Sequence, residues 1–405
     1  MNIPRFSARP LAALVGSVFT IGLCAAPGQN SIASRAGDSE YLYVVTSPEE
    51  VAYAYRIDAG TGALTPVPGQ PFSVDTGASP HTCNFGWYIN PVADPAGRFL
   101  FYDFDEIPNS GFGTMRVDPS TGKLSDGSIS LVTSGDTGPI STDPKGRFIF
   151  GNLTDYGHSS GSNQIQSYVV HSDGHLSPAP GQPYPYGGNE GYSAPAASDK
   201  YVYVTDYNTE ISHPSDLFGF SINSQDGDLK HVSTTNDGLE PTNQAITPSG
   251  KFLYSDRNYG TNGPVDVEIV GFKVNSDGSL TAIDQEPQKT PDQAGVGLIV
   301  SPNSNFLYHV APGDVRDYAI NKDTGKLTLV AVYKDINQSG GSLVIDPAVK
   351  YVYLNQTTYP TSTTVDYKVR GFRVSPNTGE LTAIPDSEIT FDNFPTGMAI
   401  VRPKQ

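Results

Sequence analysis

The chain has 405 residues, with 42 acidic against 25 basic side chains and a formal net charge of −17 at neutral pH. That balance excludes nucleic acid and anionic lipid as partners, since both require a basic surface. Two cysteines, Cys24 and Cys83, exclude a disulfide-rich scaffold.

Residues 1–33 read as a secretory signal. Arg5 and Arg9 precede the apolar run "LAALVGSVFTIGL", which is too short and too glycine-interrupted for a good membrane anchor. The small residues of "SIA" (Ser31–Ala33) suit cleavage. A second reading makes Cys24 an acylated lipoprotein residue, although Leu23 before it fits poorly. The expectation is an exported protein, periplasmic or extracellular, with a linker over 34–40, one domain over 41–401 and a tail over 402–405. No membrane insertion of the mature chain is expected. Removal of the signal leaves Cys83 alone, so no intrachain disulfide can form.

From residue 41 onward two landmarks alternate. One opens with a Pro/Gly turn and runs into aromatic and β-branched residues, as in "DPAGRFLFY" from Asp94, "DPKGRFIFG" from Asp143 and "TPSGKFLYS" from Thr247. Such runs are strands. The other is a turn, Gly, any residue, Leu, polar: "TGALT" from Thr61, "TGKLS" from Thr121, "DGHLS" from Asp173, "DGDLK" from Asp226, "DGSLT" from Asp277, "TGKLT" from Thr324 and "TGELT" from Thr378. Between them lies a third alternating run, such as "EIVGFKVN" from Glu268. The turn glycines fall at 62, 122, 174, 227, 278, 325 and 379, a period near fifty. No useful helical periodicity interrupts the pattern. The expected fold is all-β: a seven-bladed β-propeller of four-stranded antiparallel blades. The chain enters at "YLYVV" without a first strand and leaves through "PTGMAIV" (395–401), so the C-terminal strand should complete the N-terminal blade and remove two open edges.

Strand alternation then sorts the loops. The short turns ("DPKGR", "TGKL") share one end of each blade, and the long irregular connections share the other. Function concentrates in loops on a rigid scaffold, so the site belongs at the second end, around the central channel. That face offers Asp103, Asp105, Glu106, Asp155, Asp206, Glu210, Asp216, Asp256, Asp266 and Asp314 against Arg257 and Arg316, with His81, His158, His213 and His309. Carboxylates suit cations and sugar hydroxyls, whereas phosphate needs convergent cations. Asp103, Asp105 and Glu106 in "DFDE" could ligate calcium, without the ordered loop of a recognised calcium motif. No cofactor is required. "NLT" at Asn152, "NQS" at Asn337 and "NQT" at Asn355 match glycosylation acceptors.

These blades resemble the lactonase family of seven-bladed propellers, the group containing bacterial 6-phosphogluconolactonase and the fungal carboxy-muconate cyclase. The likeness rests on the two landmarks, on "GPISTDPKGRFIFGN" (138–152) and on the terminal "PTGMAIV". It implies lactone opening by His and Arg groups from strand entries and a Glu from a strand exit. Carried over one at a time, those positions fall on Tyr192, on Pro241, Thr242 and Asn243, on Arg257, Asn258 and Tyr259, and on Ala311 and Pro312, so none of the ionisable positions is kept. If chemistry persists, Arg257 beside Asp256 could polarise a carbonyl, with His81 as a third member. Tyr192, Asn243, Asn258, His309, Arg316 and Gln356 are the expected ligand contacts. The expected ligand on this acidic loop face is a carbohydrate, lactone or peptide, and the expected partner a small carbohydrate or lactone, or an envelope or extracellular protein, bound by a monomer; an active hydrolase or isomerase on an unphosphorylated lactone and a structural envelope protein are the alternatives.

Overall fold

The computed structural model describes residues 39–47, 49–74, 89–106, 109–132, 136–154, 163–186, 194–205, 216–236, 240–259, 266–290, 297–334, 341–361 and 364–404. They form seven antiparallel sheets, the seven blades of a propeller, and no helix occurs among them. Blade 1 is built from Glu40–Ser47, Val51–Ile57 and Leu64–Pro66, and Phe394–Val401 supplies its first strand, with Tyr41 opposite Val401 and Tyr43 opposite Ala399. The expected closure by the C-terminal strand is therefore present.

The two sequence landmarks meet at every seam. In each second strand the first aromatic (Tyr41, Phe99, Phe148, Tyr201, Phe252, Phe306 or Tyr351) lies against the turn glycine of the following blade. Gly325 sits at φ +74° with the Phe252 ring where a Cβ would be, so both conformation and space demand glycine. The third position of the strand completes the lock. Tyr43, Tyr203, Tyr254, Tyr308 and Tyr353 donate their hydroxyls to the carbonyls of Gly122, Gly278, Gly325, Gly379 and Gly62 at 2.7–2.9 Å. Blades 2 and 3 carry Phe101 and Phe150 there. The hydroxyl then comes from the third strand instead: Thr114 donates to Gly174 O at 2.9 Å and Ser167 to Gly227 O at 2.8 Å. All seven seams thus bury one O–H···O=C bond of the same kind.

The "DPxGR" turns are self-contained. The buried Asp143 carboxylate accepts the backbone N–H groups of Arg147 (2.6 Å) and Phe148 (2.9 Å) and the Arg147 Nε at 2.8 Å, while the guanidinium lies over the Phe148 ring. Asp94, Arg98 and Phe99 repeat the arrangement.

One feature refines the four-stranded expectation. Blades 2, 4 and 6 have continuous outer strands (Leu124–Leu131, Leu229–Asn236, Leu327–Lys334), whereas blades 1, 3, 5 and 7 split theirs into two short pieces, making five-stranded sheets. At the split the third strand loses a partner, and in blades 1, 3 and 7 a side chain replaces it. Gln70 Oε1 accepts Ala54 N–H at 2.6 Å, Gln182 Oε1 accepts Ser167 N–H at 2.9 Å, and Ser387 Oγ accepts Gly371 N–H at 3.0 Å.

Candidate functional site

The second strands end, and the first strands begin, at the end of the blades opposite the short turns. There the fifth position of the second strand is polar and buried in five blades: Asp103, Asn152, Thr205, Asp256 and Asn355. In blade 5 the pairing of the first two strands slips between Pro241 and Asn243, which frees the Asn243 N–H. Asp256 takes it up. Its Oδ1 accepts that N–H at 2.6 Å, and its two oxygens accept the Asn243 amide at 3.0 and 3.3 Å. Asp103 does the same for Asn90, at 3.0 Å to the backbone and 3.3 Å to the amide. Each carboxylate therefore fixes the chain where it enters a blade.

Asp256 also faces blade 6. His309 Nε2 stands 3.5 Å from its Oδ2, with both side chains sealed from solvent. The fourth position that His309 occupies is Val44, Tyr102, Gly151, Val204, Ser255 or Leu354 in the other blades. Among the described residues neither ring nitrogen of His309 has a hydrogen-bond partner. An imidazole set against a carboxylate is an arrangement that can orient and hold a proton.

Arg257 does not join it. Neighbouring strand residues point to opposite faces, so Arg257 turns from Asp256 toward Glu268, Nη2 to Oε2 3.2 Å. Lys289 reaches the same carboxylate at 3.5 Å. Arg316 lies opposite His309 in the next strand and clasps Asp314 at 2.9 Å, with Nη1 3.5 Å from Lys289 O. Lys368 stands between Glu388 (2.9 Å) and Asp366 (3.8 Å). The two arginines are thus not the only cations here, since Lys289 and Lys334 on outer strands and Lys368 on the third strand of blade 7 also reach this end.

The remaining expected residues divide. Asn258 pairs in the second strand of blade 5 with Glu240 and Val267, its side chain outside the described residues. Gln356 is buried beside Asn355, whose Nδ2 donates to Pro395 O at 2.8 Å across the closing seam. His81 and Tyr192 lie outside the described residues. Asp105 and Glu106 end the second strand of blade 2, opposite Ser110 and Asn109, and their side chains lie outside the description too. Among the described residues no three His, Cys, Asp or Glu side chains converge as a metal site. Two glycosylation motifs are corrected: Asn152 is fully buried and accepts the Tyr186 hydroxyl at 3.2 Å, and Asn355 is equally enclosed, so neither amide can reach a glycosylating enzyme in the fold. Asn337 lies outside the described residues.

No protein-family model matches the chain. It is 24% identical over 332 residues to a 6-phosphogluconolactonase of Enterobacter sp., covering 74% of this chain and 85% of the relative. It is 26% identical over 321 residues to the 6-phosphogluconolactonase of Cronobacter sakazakii, covering 73% and 83%. Among solved structures, a candidate 6-phosphogluconolactonase from Bacteroides uniformis superposes with a TM-score of 0.67 at 16% identity, over 90% of this chain and all of the other. The fold is lactonase-like. The periplasmic gluconolactonase PpgL of Pseudomonas aeruginosa shares it as well, with a TM-score of 0.64 at 16% identity over 90% and 99% of the two chains. On this lactonase-like frame, of the positions implied by the resemblance, Asn243 is held by Asp256 and Arg257 by Glu268. Reading the sequence missed the His309–Asp256 contact, although aligning the seven second strands would have singled out the one imidazole at position four.

Proposed function

We propose that this lactonase-like propeller takes a small, unphosphorylated sugar lactone or related carbohydrate on its loop face. The observation that carries the reading is the pairing of four cations there. Arg257 and Lys289 share Glu268, Arg316 is committed to Asp314, and Lys368 to Glu388. A phosphate ester would have to break such pairs and meet the carboxylates behind them, whereas hydroxyl and lactone oxygens need only neutral donors and acceptors. The names of the curated relatives and of the periplasmic gluconolactonase support the lactone class. An exported location suits the same reading, with Arg5, Arg9 and the apolar run that follows as its support.

A second reading, hydrolysis of that lactone, is favoured by His309 and Asp256. The imidazole would take a proton from the attacking water, and the carboxylate would hold the resulting imidazolium. Because both groups are closed to solvent here, water would reach them only through an opening of the seam between blades 5 and 6.

The test is calorimetric and titrimetric, using glucono-1,5-lactone and its 6-phosphate. Binding predicts saturable thermal stabilisation by the neutral lactone and not by the phosphate. Hydrolysis predicts proton release above the spontaneous rate, lost in His309→Ala with lactone binding retained. Equal or stronger stabilisation by the phosphate ester, or none by either, would remove the proposal.

A further inference from the structure

The four interrupted blades share one geometry at the break. An N–H three residues before the capping position donates to the carbonyl of the third-strand residue: Val67 to Ala54, Ala179 to Ser167, Ile283 to Gly271 and Ile384 to Gly371, at 2.8–3.0 Å. Three residues on come Gln70, Gln182, Glu286 and Ser387. Gln70, Gln182 and Ser387 accept the N–H of the same third-strand residue. Glu286 does not; its side chain is exposed, and no acceptor stands on the Gly271 N–H among the described residues. The physical reason is charge. A neutral amide or hydroxyl can be buried on one donor, while a carboxylate loses far more hydration than a single N–H returns. Gln285, the amide next along, is already spent across the seam, its Nε2 on Leu327 O at 2.5 Å and its Oε1 on Leu327 N–H at 2.7 Å.

Beside this break blade 5 carries a cavity of about 310 Å³. Its wall includes Gly271, Glu286, Gln288 and Arg257 among polar groups, with Tyr254 and Ile269 as apolar surface. That size and mixture fall at the lower end of small-ligand sites, about 300–1,000 Å³. We propose that this cavity binds a neutral, hydroxyl-rich molecule of monosaccharide size, one of whose oxygens accepts the Gly271 N–H that a side chain accepts elsewhere in the ring. Glu286 and Gln288 are placed to meet further hydroxyls, and the apolar wall to meet the C–H face of a sugar ring. The proposal does not depend on the loop-face reading above, although Arg257 borders both.

Residue-resolved amide exchange tests it on the full chain. Corrected for intrinsic rates, the Gly271 amide of the free protein should exchange about tenfold faster than those of Ala54, Ser167 and Gly371, the worth of one missing hydrogen bond. Within a panel of aldohexoses, at least one should slow Gly271 saturably. Glu286→Gln should close the site by restoring the neutral cap, slowing Gly271 without sugar and abolishing the sugar response. Exchange at Gly271 as slow as at its three counterparts, or indifference to every aldohexose, would overturn the proposal. Gly271 and the His309→Ala lactone titration are separate readouts, so either site can fail alone.

Discussion

Tyr308 and Asp317 are directly opposed in blade 6, yet they fare differently in the seam they share. Tyr308 gives its hydroxyl to Gly379 O at 2.8 Å, while both Asp317 oxygens are buried with no hydrogen-bond partner among the described residues. The same third-strand position holds Ala54, Thr114, Ser167, Gly219, Gly271 and Gly371 in the other blades.

Burial first, and the charge of Glu380 second, push the Asp317 carboxyl up from 3.8 to about 7. Its neighbours Tyr308 and Tyr333 are themselves held neutral by burial, so neither adds a charge beside it. The unfolded chain releases this proton near pH 4, and the folded chain only near pH 7. The contribution is therefore fully present below about pH 4, falls as pH rises to about 7, and stays lost above that. Asp317→Asn should flatten this part of the profile and raise stability at pH 8, by at most about 4 kcal/mol. Urea unfolding of both proteins from pH 4 to 8 measures it; parallel profiles would contradict the assignment.

The hydroxyl locks make a paired prediction. Tyr254→Phe and Thr114→Val should each cost about 1 kcal/mol, because each strips the donor from a buried glycine carbonyl. Phe101→Tyr should give no comparable gain, since Thr114 already serves Gly174. Denaturant midpoints with unchanged slope would report this cleanly.

Asp256→Ala leaves the Asn243 N–H buried without its acceptor and should cost about 2–4 kcal/mol. Asp256→Asn keeps one acceptor oxygen and should cost less. Chemical unfolding compares them, and a loss confined to lactone binding with full stability would mean that the carboxylate is not the staple it forms here.

Glu268→Gln should release Arg257 and Lys289 from their shared counter-charge. If the paired cations set the ligand preference, this variant should gain affinity for the 6-phosphate of gluconolactone, by several-fold at low salt and less at high salt. Titration of wild type and variant with both lactones decides the matter.

Much of this architecture was legible because its signals are local. Gly62 to Gly379 recur because a positive φ and a neighbouring ring exclude every other residue, and Phe99 or Tyr351 recur because they supply that ring. The strand alternation that placed Asp256 toward a neighbouring blade was also readable. It should equally have turned Arg257 away, yet adjacency in sequence suggested a pair. His309 meeting Asp256 was not readable, because the two lie in different blades and their contact depends on how two sheets lean together. The split outer strands were hidden for a similar reason: "GQP" in blades 1 and 3 looks like an ordinary turn until its glutamine is seen replacing a strand.

Because Phe394–Val401 pairs with Glu40–Ser47, the propeller has no terminal unit. A protease that cuts one connecting loop divides the chain but not the particle, since the two fragments still grip each other at two places on the circumference. An open row of blades would be held at one. A single cut between blades is thereby separated from loss of the fold.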